Sequence, residues 1–198
     1  IDARTGDWVD PGEVHVGDAP TTTRRGFFLV QDVPPGPLLI HVSAPGFAPG
    51  TKPVEVPQNG GVFVNLSLLP FDATATFDAS EGGTVSTDDG TSVTFPPCAM
   101  EGMGAVTASL ASVEVLAKGG VKSSNWCGLN AMRGDFSTDQ GEMLMTYGAV
   151  AIDVRDGEGN PVDVGDCASA DLQLRPGREL PEAIDQWKFD PDVGKWTE

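Results

Sequence analysis

Basic residues are scarce in this chain of 198 residues. Twelve Lys and Arg stand against 29 Asp and Glu, for a net charge of −17. A surface of that sign repels phosphate, which argues against nucleic acid as a partner and against docking on anionic lipid. No apolar run reaches the ~18 residues that suggest a membrane-spanning helix. Histidine occurs only as His15 and His41, and no Ser–His–Asp or Cys–His arrangement can be read from the sequence. Cysteine occurs only at Cys98, Cys127 and Cys167, and no two have the CxxC spacing of a zinc ribbon or redox site. Three cysteines allow three single disulfides, each leaving one thiol over. Spacing does not choose among them, and unpaired buried thiols are the plain alternative. The sequence from Ile1 shows no basic n-region or signal peptide, which decides nothing about targeting. The ends, Ile1 and Trp196-Thr197-Glu198, read as those of a fragment of a longer protein.

Glycine and proline are abundant, at 25 and 16 residues, which disfavours long helices. Hydrophobic residues make up 39% of the chain, enough for a core. The segment Val62 to Leu68 alternates, with Val62, Val64, Leu66 and Leu68 on one face, as a half-buried strand requires. Glu13 to Val16, Leu38 to Ala44, Ala73 to Phe77, Thr91 to Phe95, Ala105 to Val115, Tyr147 to Val154 and Ala170 to Leu174 also read as strands. Turn chemistry separates them at Pro45-Gly46, Asn59-Gly60-Gly61, Asp88-Asp89-Gly90 and Asp156-Gly157-Glu158-Gly159-Asn160. Strand-sized runs at this spacing predict an all-β chain of two tandem antiparallel β-sandwich domains with little helix. The boundary falls near Leu69-Pro70-Phe71-Asp72. Residues 1–70 hold only 7 of the 29 acids, so 71–198 forms an acidic second domain. Residues 119–142 lack a clean period and read as a long irregular connection, of the kind that is often functional.

The runs Phe27 to Gly36 and Ile40 to Phe47 resemble the carboxypeptidase regulatory-like domain, a transthyretin-like β-sandwich. Thr23-Arg24-Arg25-Gly26-Phe27 keeps that family's Gly and aromatic but lacks its Asp. Gly82-Gly83-Thr84-Val85, Thr91 to Ala99, Gly134-Asp135-Phe136 and Trp187 to Trp196 resemble a second β-sandwich type. It occurs in cartilage intermediate layer protein and, more distantly, in ankyrins and netrin receptors. Bacterial surface proteins carry the two types in this order. The resemblance implies architecture and no catalysis.

Candidate chemistry is sparse. Arg133-Gly134-Asp135 spells an integrin-binding tripeptide, but the domain pattern already accounts for Gly134 and Asp135. Asp135-Phe136-Ser137 has Asp where self-cleaving relatives have His, which disfavours attack by the Ser hydroxyl. Met100, Met103, Met132, Met143 and Met145 suit core filling better than copper. Asp153, Asp156, Glu158, Asn160 and Asp163 cluster around one turn and form the best candidate for calcium, a hard cation that seeks several oxygen ligands. Smaller clusters lie at Asp88-Asp89 and at Asp190 and Asp192. The competing use of all these acids is a solvated surface and hairpin chemistry. Among Trp8, Trp126, Trp187 and Trp196, the exposed one is expected to be Trp126, where a sugar could stack.

These observations predict a non-catalytic module pair, acting as a spacer, stalk or adhesion segment of a larger secreted or surface protein. Its setting is extracellular or at the cell surface, with a periplasmic or lipoprotein-anchored location as a variant. Its partner is the rest of the parent protein, with a glycan or protein ligand as an addition. No cofactor is expected apart from the candidate calcium. The alternative is a ligand-binding module, for calcium or a glycan, carried by the second domain. A hydrolase is the least favoured reading.

Overall fold

A computed structural model describes residues 1–17, 19–114, 148–172 and 186–197. The fold is all-β, and the described strands lie in four sheets whose strand pairs are antiparallel. Among the described residues the one helical piece is the 3-10 turn Pro97–Met100. None of them belongs to a helix long and apolar enough to cross a membrane. The described chain divides into two compact units. One joins residues 1–69 to 186–197, and the other joins 70–114 to 148–172.

The first unit is built on β1 (Glu13–Val16), β2 (Ala19–Thr22), β3 (Gly36–Ser43) and β4 (Gly50–Val56), in the order β2-β1-β3-β4. The register sets Val14 against Val42 and Val16 against Ile40. Period-two geometry then puts all four on one face, where they are buried. The opposite face carries His15 against His41. Lys52 lies in the inward row opposite Ile40, yet it is exposed, and its Nζ reaches the carbonyl of Asn65 at 3.2 Å.

The alternation at Val62 to Leu68 predicts a strand, but the structure forms none there. The period survives, since Val64, Leu66 and Leu68 pack on the core while Phe63 is 86% exposed. Among the described residues no strand lies alongside 62–65. Leu66, Leu68 and Leu69 find backbone partners among the described residues.

The second unit contains β5 (Ala73–Asp78), β6 (Gly83–Ser86), β7 (Ser92–Phe95), β8 (Ala105–Glu114), β9 (Gly148–Asp156) and β10 (Ser169–Asp171). They form two sheets, β5-β8-β9 and β10-β7-β6. Alternate residues of both supply one core: Val85, Val93, Phe95, Val106, Ala108, Leu110 and Val154, joined by Ala79, Ala99 and Met100. Burying each large apolar side chain contributes about 1.5–3 kcal/mol. Phe77 and Phe95 stack with ring centroids 5.7 Å apart. Gly83 makes room for that pair, because a Cβ there would sit 2.4 Å from the Phe77 ring. Cys98 and Cys167 form a disulfide across 69 residues of sequence, with Cα atoms 6.3 Å apart. Beside it, Gly165 N donates to Ala99 O at 2.8 Å.

The remaining hairpin, β11 (Lys188–Asp190) and β12 (Lys195–Thr197), belongs to the first unit. It pairs Phe189 with Trp196 edge to face at 5.5 Å. Its turn brings Gly194 against Leu39 of β3, where a Cβ would come within 2.9 Å of Leu39 Cδ2.

Candidate functional site

Of the five residues expected to hold calcium, Asp153, Asp156 and Asn160 make hydrogen bonds within the β9 turn. Asp153 and Arg155 lie two apart on β9 and so share a face. The guanidinium forks onto the Asp153 carboxylate at 2.7 and 3.3 Å, and its Nη1 donates to Gly159 O at 3.0 Å. The Asp153 carboxylate is thus paired with a fixed positive charge. Asp156 begins the turn and closes it. Its carboxylate accepts from Glu158 N, Asn160 N and Asn160 Nδ2 at 2.8 to 3.0 Å. Those bonds, first that of the Asn160 side chain, hold its carboxyl below the usual range. Glu158, Asn160 and Asp163 are exposed. Among the described residues, no three His, Cys, Asp or Glu side chains gather as a metal would need. Trp126, Cys127, Met132, Arg133-Gly134-Asp135, Phe136, Ser137, Met143 and Met145 lie outside the described residues, as does the irregular connection expected at 119–142.

Other acids follow the pattern of Asp156. Asp2 accepts from Arg4 N and Thr5 N, Asp78 from Ser80 N and Oγ, and Asp190 from Asp192 N and Val193 N. Each is an Asp closing a local turn through its own side chain. Asp10 does this at a distance, accepting from Thr23 Oγ1 and from Arg25 N at 2.9 Å. Arg25 has φ 56°, so Asp10 steadies a left-handed turn that has no Asp of its own. Asp89 makes the most connected site. Thr87 Oγ1 and Thr91 N donate to it inside the β6–β7 hairpin. Ser112 Oγ of β8 lies 3.3 Å from Asp89 and 3.2 Å from Asp72, so its single proton serves one at a time. Burial pushes the Asp89 carboxyl up, but these hydrogen bonds outweigh it and hold it below the usual range.

The histidines are ordinary strand residues. His41 Nδ1 pairs with Thr51 Oγ1 at 3.0 Å, and His15 Nε2 lies 3.1 Å from Glu13. Among the described residues Trp8 is the exposed tryptophan, which the sequence did not single out. It is 60% exposed and lies against Phe27, ring centroids 4.7 Å apart. Gly26 lets it settle there, since a Cβ would meet its ring at 2.8 Å. Nothing in the spacing around Trp8 distinguishes it from a core residue.

Trp8 and Phe27 lie at the rim of the most distinctive feature of the first unit, an apolar slot of about 770 Å³. Its floor is the inner sheet face, with Val14, Val16, Ile40 and Val42. Its walls are two stretches outside the strands, 28–33 and 62–68. Phe28, Val30 and Val33 of one wall, and Val64 and Leu66 of the other, are half-buried on the core. No backbone hydrogen bond joins 28–33 to 61–65. Ile1 closes one end. There the chain pairs in parallel with the second wall: Ile1 N donates to Leu66 O, Leu68 N to Ile1 O and Ala3 N to Leu68 O, each at 2.8 Å. Burial holds the Ile1 amino group below its usual pKa, and the charge of Asp2 recovers part of the shift.

Set against known proteins, the chain matches no family model, no curated protein and no solved structure.

Proposed function

We propose that this chain is a non-catalytic pair of β-sandwich modules, a spacer, stalk or adhesion segment within a larger secreted or surface protein. The observation that carries the reading is the use of the acids. In a chain of net charge −17, Asp2, Asp10, Asp78, Asp89, Asp156 and Asp190 all accept backbone N–H groups in turns and loops. Their charge is spent on holding loops between strands, which serves rigidity. The Cys98–Cys167 disulfide supports an oxidising compartment, where such bonds persist. The resemblance of Phe27 to Phe47 to the carboxypeptidase regulatory-like domain supports the same setting.

The test is replacement within the parent protein. Exchanging these 198 residues for an unrelated β-sandwich pair is expected to leave the parent's activity and surface display intact. Loss of a specific binding activity on exchange would overturn the spacer reading in favour of a ligand-binding module. Loss of a catalytic activity would overturn it in favour of a hydrolase.

A further inference from the structure

A two-residue hairpin spans Arg24 to Phe27. Arg24 N donates to Phe27 O at 2.8 Å and Phe27 N to Arg24 O at 3.1 Å. Between them Arg25 and Gly26 both have positive φ, 56° and 76°, as the two central residues of a type I′ turn require. Residues that exchange both hydrogen bonds lie directly opposite, so the Arg24 and Phe27 side chains leave on one face. Asp10 holds the turn from outside, accepting from Thr23 Oγ1 and Arg25 N. Trp8, two residues before Asp10, lies over Gly26 and against the Phe27 ring. One turn thus sets two aromatic rings beside a guanidinium.

The group is open to solvent. Trp8 is 60% exposed and Phe27 58%, and neither belongs to the core cluster of the unit. Arg24 is exposed, and among the described residues its guanidinium has no hydrogen-bond or ion-pair partner. The electron-rich face of an aromatic ring attracts the C–H hydrogens on the flat side of a pyranose. A guanidinium donates to sugar hydroxyls, and carboxylates accept from them. Charge decides which sugar. Asp7 and Asp10 flank Trp8 in the chain, while Arg24 and Arg25 belong to the turn it covers, so these four charges cancel. The chain as a whole, at −17, repels an anionic glycan. Size argues against a protein partner. Two rings open to this extent offer roughly 250 Å², against the ~800 Å² per partner of a stable protein interface. We infer that Trp8, Phe27 and Arg24 form a binding site for a neutral glycan, with a pyranose ring on the open indole and Arg24 donating to its hydroxyls. The inference rests on the non-catalytic reading above and narrows its role to adhesion.

The test titrates the 198-residue chain with three neutral probes, cellohexaose, mannohexaose and xylohexaose, and with oligogalacturonate as the charged comparison. Indole N–H resonances report the contact, and Trp8→Phe assigns that of Trp8. At least one neutral probe is expected to move it, with a Kd of about a millimolar or tighter. Trp8→Ala is expected to weaken binding by about tenfold or more and Arg24→Gln by about threefold. Trp8→Phe keeps a smaller ring face and is expected to lose less than Trp8→Ala. These side chains are exposed, so the variants are expected to melt as the parent does. A Trp8 resonance that no neutral probe moves would overturn the inference. So would binding that Trp8→Ala leaves intact, which would move the sugar elsewhere on the chain. Tighter binding of oligogalacturonate than of every neutral probe would overturn the assignment to a neutral glycan. A Trp8 shift that grows with protein concentration in the absence of sugar would give the rings to a second copy. A failed titration leaves the spacer reading standing, whereas loss of a catalytic activity in the replacement test overturns that reading whatever the titration shows.

Discussion

The two units use the same strand chemistry and close their interiors differently. The second surrounds ten buried residues with two hydrogen-bonded sheets, and pins its 3-10 turn by the Cys98–Cys167 disulfide. Among its described residues the first buries five in a cluster on the sheet β2-β1-β3-β4, where 28–33 and 62–68 border a slot of about 770 Å³. Alternation alone therefore orients side chains toward a core without building a sheet. The backbone must also find a neighbour, because an unpaired N–H or C=O away from water is costly.

The contrast is sharpest at the covalent link. Substituting Cys98→Ser together with Cys167→Ser releases a loop of 69 residues. The chain-entropy estimate for such a loop is about 4 kcal/mol. A loss of that size should lower the melting of the second unit by more than about 15 °C. Amide exchange at Val93 and Val106 should accelerate while Val14 and Val42 hold. Equal acceleration in both units would mean that their stabilities are not separate. Next in size is Gly83→Ala. The added Cβ would meet the base of the Phe77 ring, which is held by its stack on Phe95. Overpacking of this kind costs about 1–3 kcal/mol, read as a fall in the denaturant midpoint of the second unit.

Much of this architecture is legible in the sequence. Val93 and Phe95, or Val14 and Val16, announce a half-buried strand by period alone, and Asp156-Gly157-Glu158-Gly159-Asn160 announces its turn. The disulfide is not legible, because three pairings are open and only folded geometry selects Cys98 with Cys167. The fate of Val62 to Leu68 is hidden for another reason. Its periodicity reports which side chains face inward and says nothing about whether a backbone lies alongside. The five residues proposed for calcium look convergent because they are close in sequence. Period two sends Asp153 to a sheet face beside Arg155, while Asp156 is consumed by its own turn.

Asp89 tests how the second unit braces its hairpin. Asp89→Ala removes an acceptor of Thr87 Oγ1 and Thr91 N and a tie to Ser112, at a cost of about 1–2 kcal/mol. Its pH dependence has a definite sign. The folded-state pKa lies below the unfolded one, so the stabilisation is fully present above the unfolded value of about 3.9. It is lost as pH falls through the folded value. Acid titration of the second unit should therefore be less steep in Asp89→Asn than in the parent chain. Parallel curves would show that the hairpin does not depend on the charge.

The first unit offers the complementary test. Phe63 and Val64 are neighbours on a wall of the slot, one in the open and one on the core. Phe63→Ser should change stability by less than about 0.5 kcal/mol, whereas Val64→Ala should cost more. If Phe63→Ser destabilises as much as Val64→Ala, the wall is already covered and the contrast between the units disappears.

Calcium should have the smallest effect, and the reason is local electrostatics. A cation at the β9 turn would have to displace the Arg155 guanidinium from Asp153 and break three hydrogen bonds to Asp156. Adding millimolar calcium after excess EDTA should therefore shift the melting of either unit by less than about 1 °C, since only a ligand bound to the folded state stabilises it. A rise of several degrees confined to the second unit would mean that its acids can leave their turns for a metal. Repeating the melt with Arg155→Gln separates the two obstacles. If the guanidinium alone excludes calcium, the variant gains a calcium-dependent rise that the parent lacks. If the turn itself consumes the carboxylates, the variant stays as indifferent as the parent.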